Sequence, residues 1–466
     1  MIMNNKYTVL FKDTIIFAIG NLGSKMILFF LVPLYTNYLT IEEYGIADLI
    51  FTMAQLMVPV VSLTIYDAVI RFGLDKKNRT VDVLRIGLTI AFIGSICTVL
   101  ITPIWNIYSP ISAWKWHLSI YVIGSFVLSI LNSYLKVKGL NKKFAAVSIL
   151  QTLIMALLNI LLLVCYRTGV RGYMIANIVA VYVSIGISLF WGKVLEDLRK
   201  SKFNRNLFSS MVGYSAPLIL NDLSWWVIHS SDKFMIEAIV GATALGLYTV
   251  ATKIPSLINV MISIFGQAWG ISSVKEIEST NDSNFYTEVF EGYSFITFFC
   301  CMILVSIIKL FMSIYVGVNF RESWVFVPML LVSAGFSAIS SYYGQMYGAL
   351  KKSWNSMIST LVAALVNIAA NYYFIPKIGI GGAVIGTVLA YIVLMIVRMV
   401  DVGRYISFSI EYGRFALNCI LIILQGLLVS NDFHIIEVSV LGLIAFAVIN
   451  RKTLIKYIKF NAFKQK

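Results

Sequence analysis

Apolar runs of about 20 residues recur along almost the whole chain, separated by short polar links. A run of that length crosses a bilayer as a helix, because hydrocarbon leaves the backbone no partner but itself. Spans are predicted over residues 13–35, 46–67, 83–103, 117–136, 144–165 and 170–192. A second set follows at 211–236, 246–270, 292–316, 324–348, 354–375 and 378–400, with a terminal pair at 414–430 and 434–450. The expected fold class is an all-α polytopic membrane protein of about 14 transmembrane helices. With 59% hydrophobic and 13% charged residues, a soluble domain is excluded. No cleavable signal is expected, since Met1–Phe11 has no small-residue cleavage site and the first apolar run continues into a long span.

A net charge of +15 suggests nucleic acid until the basic residues are located. With a cytoplasmic N-terminus, the outward links hold only Lys115, Arg167, Arg171, Arg321 and Lys377, while Lys25, Lys233, Lys253 and Lys309 lie in or beside spans. The others, Arg398–Arg414 among them, fall in the links of the opposite side, so both termini are predicted cytoplasmic and no nucleic-acid partner is expected. The five cysteines lie in or at the edge of apolar segments and have no metal-ligand spacing. Neither a disulfide framework nor a metal is expected, and no cofactor.

Within Leu245–Gly270 the polar residues Thr249, Thr252, Ser256, Asn259, Ser263 and Gln267 step by three or four onto one helical face. Lys253 sits beside that stripe, where a charge is costly unless it faces protein or a wet cavity. Pro255 is expected to bend this span. Trp269 is expected in an interfacial aromatic belt.

The second span carries its own stripe, Asp48, Thr52, Gln55, Ser62 and Tyr66, aligning with the eighth as Gly45/Gly246, Asp48/Thr249, Gln55/Ser256, Ser62/Ser263 and Tyr66/Gln267. TGVRGYMIANIVAVYV (168–183) likewise aligns with IGIGGAVIGTVLAYIV (378–393). The offset is about six spans, so the copies enter the membrane the same way round, as a parallel repeat of the kind used in alternating access. The expected organisation is a six-helix lobe over 1–192, a cytoplasmic linker over 193–210, a second six-helix lobe over 211–402, and a terminal helix pair with basic tail over 403–466.

KDTIIFAIGNLGSKMILFFLVPLYTNYLTIEEYGIADL (12–49) resembles the N-terminus of the Wzx-type polysaccharide and O-antigen flippases. SDKFMIEAIVGATALGLYTVATKIP (231–255) is similar to that family's signature across the seventh and eighth spans, with Asp232–Lys233 at its acid–base pair. These flippases belong to the multidrug/oligosaccharidyl-lipid/polysaccharide exporter superfamily. The resemblance covers essentially the whole chain. It implies translocation of an undecaprenyl-diphosphate-linked sugar repeat unit to the outer leaflet of a bacterial plasma membrane. A polysaccharide polymerase and a chain-length regulator are the implied partners.

Such a substrate presents a diphosphate, a glycan and an isoprenoid tail. Cations at membrane depth suit the diphosphate, which selects Lys25, Lys253 and, at the end of the second span, Arg71. Amide, hydroxyl and aromatic groups suit the glycan, which selects Asn21, Gln55, Tyr66, Trp225, Tyr248, Asn259 and Gln267. Asp222, His229 and Asp232 share one face of the seventh span and are the candidates for coupling to H+ or Na+. Arg71 alternatively forms an ordinary ion pair with Asp67, and Asp232 a local pair with Lys233.

Two rival functions share much of this pattern. A drug exporter of the same superfamily would have the same lobes, usually twelve spans and a less cationic lumen. A membrane glycan polymerase would carry a long external loop with catalytic Arg, His or Asp. The outward links here are short, the chain has only three histidines, and no nucleophilic or paired-carboxylate motif stands in a plausible context, so no catalytic residue is assigned.

Overall fold

The structure is a computed structural model that describes residues 23, 25–278, 283–350 and 352–455, the side chains of residues 267, 268, 271, 274, 275 and 278 excepted. Every regular element among the described residues is helical. Among the described residues, ten helices are long and apolar enough to cross a membrane, and eleven if one bent pair counts as a span. The expected fourteen is therefore met in part. Of the other predicted spans, the first lies partly outside the described residues, the seventh carries Asp222, Asp232, Lys233 and Glu237, and the last is the 15-residue helix Ile435–Ile449.

The chain divides into two compact units, Met1–Trp226 and Val227–Lys466. The first begins with α1 (25–38), α2 (Ile41–Val61) and α3 (Ile65–Gly73). Thr40 opens α2 with a capping box: its hydroxyl accepts from the Glu43 N–H, and Glu43 accepts from the Thr40 N–H at 2.9 Å. The span then breaks at Leu63 and Thr64, whose φ of 51° and 47° a helix cannot contain. Next come α4 (Thr80–Ile101), α5 (Lys115–Val137), α6 (Asn141–Asn159) and α7 (Gly169–Gly192). The 23-residue α5 is central, packing on α2, α3, α4 and α7. At Gly94 of α4 a Cβ would lie 2.4 Å from the Val61 carbonyl oxygen, so only glycine permits that approach to the α2 terminus.

A short link helix, α8 (Val194–Lys200), is fastened to this bundle. Lys138 Nζ and Tyr134 Oη donate to Asp197 Oδ2 at 2.6 and 2.8 Å. Arg79 and Arg85 reach the carbonyls of Lys200 and Ser201 at 3.2 and 3.0 Å. The link is thus bound along its length. After it, α9 (Arg205–Ser215) and α10 (Leu218–Ile239) are separated by Ala216 and Pro217, and the boundary between the units falls within α10.

The second unit contains α11 (Ala242–Ala251), α12 (Pro255–Glu278), α13 (Ser283–Tyr315), α14 (Val327–Ala349), α15 (Ser353–Ile378), α16 (Ile380–Val402), α17 (Tyr412–Ser430) and α18 (Ile435–Ile449). Its axis is α14, which packs on α12, α13, α16 and α17. The α15–α16 hairpin turns on Gly379, at φ +58° and ψ −133°, a conformation open to glycine and strained for other residues. Buried amides fix α17: Gln425 donates to Ser306 of α13 at 3.0 Å, and Asn418 and Asn450 exchange bonds of 3.1 and 2.9 Å. The terminal pair is thereby integral to this unit.

Two expectations are corrected here. Trp269 is buried, stacked on Tyr342 at 4.8 Å between centroids and donating its indole N–H to the Tyr342 carbonyl at 3.1 Å, so it is core and not belt. Arg398, counted with a cytoplasmic link, lies inside α16 at 2% exposure. It donates to Ser359 Oγ, the Ser340 carbonyl and Thr360 Oγ1 at 3.1, 3.1 and 3.0 Å, joining α14, α15 and α16. Gly344 leaves room for it, since a Cβ there would meet the guanidinium at 2.4 Å.

Candidate functional site

α10 has a polar face because Asp222, His229 and Asp232 step along it at helical spacing. Asp222 and Asp232 are ten residues apart, about 15 Å along the axis, and meet different partners. In the first unit the Tyr66 hydroxyl of α3 donates to Asp222 Oδ2 at 3.2 Å. Trp226 donates its indole N–H to the Thr52 carbonyl of α2 at 2.9 Å, and Trp225 is half-buried. Gln55 and Arg71 are exposed on α2 and α3, and Lys25 is exposed on α1. Asn21 lies outside the described residues, as does the side chain of Gln267.

In the second unit Asp232 is buried, at 2% exposure. The Tyr248 hydroxyl of α11 donates to its Oδ2, and the Lys233 N–H to its Oδ1 at 2.8 Å. Thr387 of α16 is 3.5 Å from that Oδ2, but its single proton also serves the Ala383 carbonyl at 2.9 Å, and the shorter bond takes it. Tyr248 is therefore the principal side-chain donor to this carboxylate. Three residues earlier on α10, His229 Nδ1 pairs with Tyr391 Oη at 2.9 Å.

Asp232, His229, Tyr248, Thr252, Asn259 and Thr387 all face one cleft of about 110 Å³. That volume holds a few waters or an ion. It is well short of the roughly 300 Å³ or more of a drug-sized ligand's site, let alone an oligosaccharide's. The cleft's lining sets the Asp232 carboxylate and the His229 imidazole among the polar side chains of Tyr248, Thr252, Asn259 and Thr387. No group of three or more His, Cys, Asp and Glu with metal-binding geometry occurs among the described residues.

The cleft owes its floor to a broken span. α11 and α12 meet at 47° across Thr252–Ile254, and Pro255, which lacks an N–H, starts the new helix. Lys253 sits half-buried in that break. Beside Asp232, Ser231 donates to Asn367 Oδ1 at 3.1 Å, and Asn371 donates to the same oxygen at 3.0 Å. Asn371 Oδ1 and Asn367 Nδ2 are buried with no hydrogen-bond partner.

Thr387, Tyr391, Asn367 and Asn371 were not singled out from sequence. Asn367 and Asn371, four apart in an apolar span, were the available signal: two amides on one face at membrane depth require partners. Thr387 and Tyr391 show the same spacing, but a threonine in a span is common enough to carry little weight.

Comparison with known proteins follows this architecture. A family described as polysaccharide biosynthesis proteins matches residues 10–271, which include both stretches that carry the sequence resemblance. The Lsg locus protein 1 of Haemophilus influenzae is 25% identical over 264 residues, covering 55% of this chain and 64% of that protein, so the chain spans less than two thirds of this relative. Among solved structures, the lipid II flippase MurJ in an inward closed conformation matches with a TM-score of 0.69 at 14% identity, over 94% of this chain and 100% of that one. An inward-facing multidrug resistance MATE family transporter matches with a TM-score of 0.65 at 16% identity, over 83% and 94%. The chain is a multi-pass membrane protein with the fold of these transporters, and it belongs to the polysaccharide biosynthesis protein family.

Proposed function

We propose that this protein moves an undecaprenyl-diphosphate-linked oligosaccharide repeat unit from the cytoplasmic to the outer leaflet by alternating access. The setting is assembly of a bacterial surface polysaccharide such as O-antigen or capsule, in the inner membrane, with both termini cytoplasmic. The reading rests first on family membership together with a fold shared with a lipid II flippase. The distribution of Lys and Arg among the links supports the orientation.

The diphosphate is assigned to Lys25 and Lys253. Supporting this, Lys25 is exposed on α1 and Lys253 stands where a span is interrupted. The cleft around Asp232 is assigned to the coupling ion, H+ or Na+, because an ionisable side chain at membrane depth that lines a small cavity is the default candidate for an ion site. Asp222, bonded to Tyr66, is a second candidate in the first unit. Substrate movement by conformational change leaves no role for covalent catalysis, so the protein is read as a transporter and not an enzyme.

The fold likeness to a multidrug transporter keeps one rival in view: export of a small molecule. Leaflet-resolved detection of lipid-linked repeat units in cells with and without the protein separates the two. A flippase leaves its units on the cytoplasmic leaflet when absent, whereas a drug exporter does not.

A further inference from the structure

The second unit has a groove of about 400 Å³ where α14, α15 and α16 end together. Its wall is aliphatic and open: Ile358, Ile396 and Val400 are 44%, 49% and 57% exposed. From Ile396 to Arg404 the groove runs about 12 Å along α16 and beyond its end, and it changes from apolar to charged on the way.

The charged end is built for an anion. Arg404 has a 71% exposed side chain, and its pair with Asp401 is 3.9 Å long, outside hydrogen-bonding range. Lys352 Nζ lies 5.1 Å above the Tyr405 ring, with the residue exposed. Asp401 offsets one of these charges. Its Oδ2 accepts from Tyr347 Oη and Asn355 Nδ2, each at 2.9 Å, which holds it as a support for Arg404. Beneath the floor, Arg398 bonds Ser359 and adds a third cation. Tyr405, whose hydroxyl is 3.5 Å from Asn355 Nδ2 of the lining, and Trp354, next to Asn355 in the chain, are 41% and 69% exposed, as aromatic residues at headgroup level are.

We infer that this groove binds an anionic phospholipid of the cytoplasmic leaflet, with its phosphate against Arg404 and Lys352 and one acyl chain along Ile358, Ile396 and Val400. Three cations against one carboxylate favour a net-negative headgroup over a zwitterionic one. The aliphatic wall supplies what a soluble phosphate could not use. The inference rests on the proposed orientation and is independent of what the protein transports.

Native mass spectrometry of the full-length protein, extracted from mixed phosphatidylglycerol and phosphatidylcholine bilayers, tests it. The wild type is expected to retain phosphatidylglycerol in preference. The double variant Lys352→Ala/Arg404→Ala should retain it roughly 30-fold more weakly, at about one surface-cation contribution per residue. Lys76→Ala/Lys77→Ala, which removes two charges from another link, should bind as the wild type does. Val400→Trp fills the groove without touching charge and should also weaken binding, which keeps the test valid if the double variant misfolds. Equal retention of the two lipids by wild type, or unchanged retention by both groove variants, overturns the inference. Displacement of the lipid by soluble glycerol 3-phosphate at matched concentration also overturns it, because the site would then read phosphate alone.

Discussion

The Thr64 hydroxyl donates to the Ser215 carbonyl across 2.7 Å, linking the break between α2 and α3 to the break between α9 and α10. The Ser215 carbonyl needs this partner because the Ile219 N–H, its expected donor in a continuous helix, turns to Ala216 at 3.2 Å. Thr64→Val should therefore cost about 1 kcal/mol, the net worth of a buried neutral hydrogen bond, while Thr64→Ser should cost little. Thermal unfolding of the purified protein in detergent measures both. A valine variant that melts with the wild type would show that the two breaks are held by other contacts.

Asp232 and Tyr248 form the centre of the second unit's cleft. Asp232→Asn keeps the shape but removes the exchangeable charge, so transport should lose its dependence on external pH or Na+, together with most of its rate. Tyr248→Phe leaves the carboxylate without its principal side-chain donor and should shift the ion dependence without abolishing it. Transport assayed across pH and Na+ concentration reads both variants. Wild-type ion dependence in Asp232→Asn would remove this residue from coupling and turn attention to Asp222.

Arg398 joins three helices through a planar guanidinium. Arg398→Met removes three hydrogen bonds that join these helices, while Ser359 and Thr360 keep their own bonds to the Ser356 carbonyl, and should destabilise by about 3 kcal/mol. Arg398→Lys should rescue little, since one ammonium cannot span three acceptors in a fork. Gly344→Ala should mimic the loss by pushing the guanidinium out of its seat. Thermal melts of the three variants check the ranking, and a stable lysine variant would contradict it.

The clamp on α8 should respond to acid. Burial pushes the Asp197 carboxyl upward, but the bonds from Lys138 and Tyr134 outweigh it and hold the carboxyl below its ordinary 3.8. A depressed carboxylate stabilises above the ordinary value and loses that contribution as pH falls through its own lower one. Protection of the amides of residues 194–204 from hydrogen exchange, measured against the intrinsic rate at each pH, should consequently hold at neutral pH and fall only below pH 3.8. Lys138→Met should raise exchange already at neutral pH. An unchanged exchange rate in that variant would show the link to be held otherwise.

Much of this architecture was legible because hydrocarbon imposes it. Run length alone placed most of the spans, and Pro255 located the bend beside Lys253. The site was legible only along single helices. Asp222, His229 and Asp232 read as one group on a helical face, whereas Asp222 bonds Tyr66 in the first unit and the other two line a cleft in the second. Periodicity reports which residues share a face, but not which distant spans meet it. Thr387 and Tyr391 could not be found that way. Trp269 and Arg398 were misplaced for a related reason: residues that favour an interface when exposed are tolerated in a core that offers a carbonyl or hydroxyl partner.

The most direct test of the central claim is leaflet-resolved detection of undecaprenyl-linked repeat units in cells lacking this protein, complemented by wild type or by Lys253→Ala. Accumulation on the cytoplasmic leaflet is expected, relieved by wild type and not by the variant. Relief by both would retain the flippase and remove Lys253 from diphosphate binding. Units that reach the outer leaflet without the protein, and remain there unpolymerised, would contradict the account and favour a polymerase.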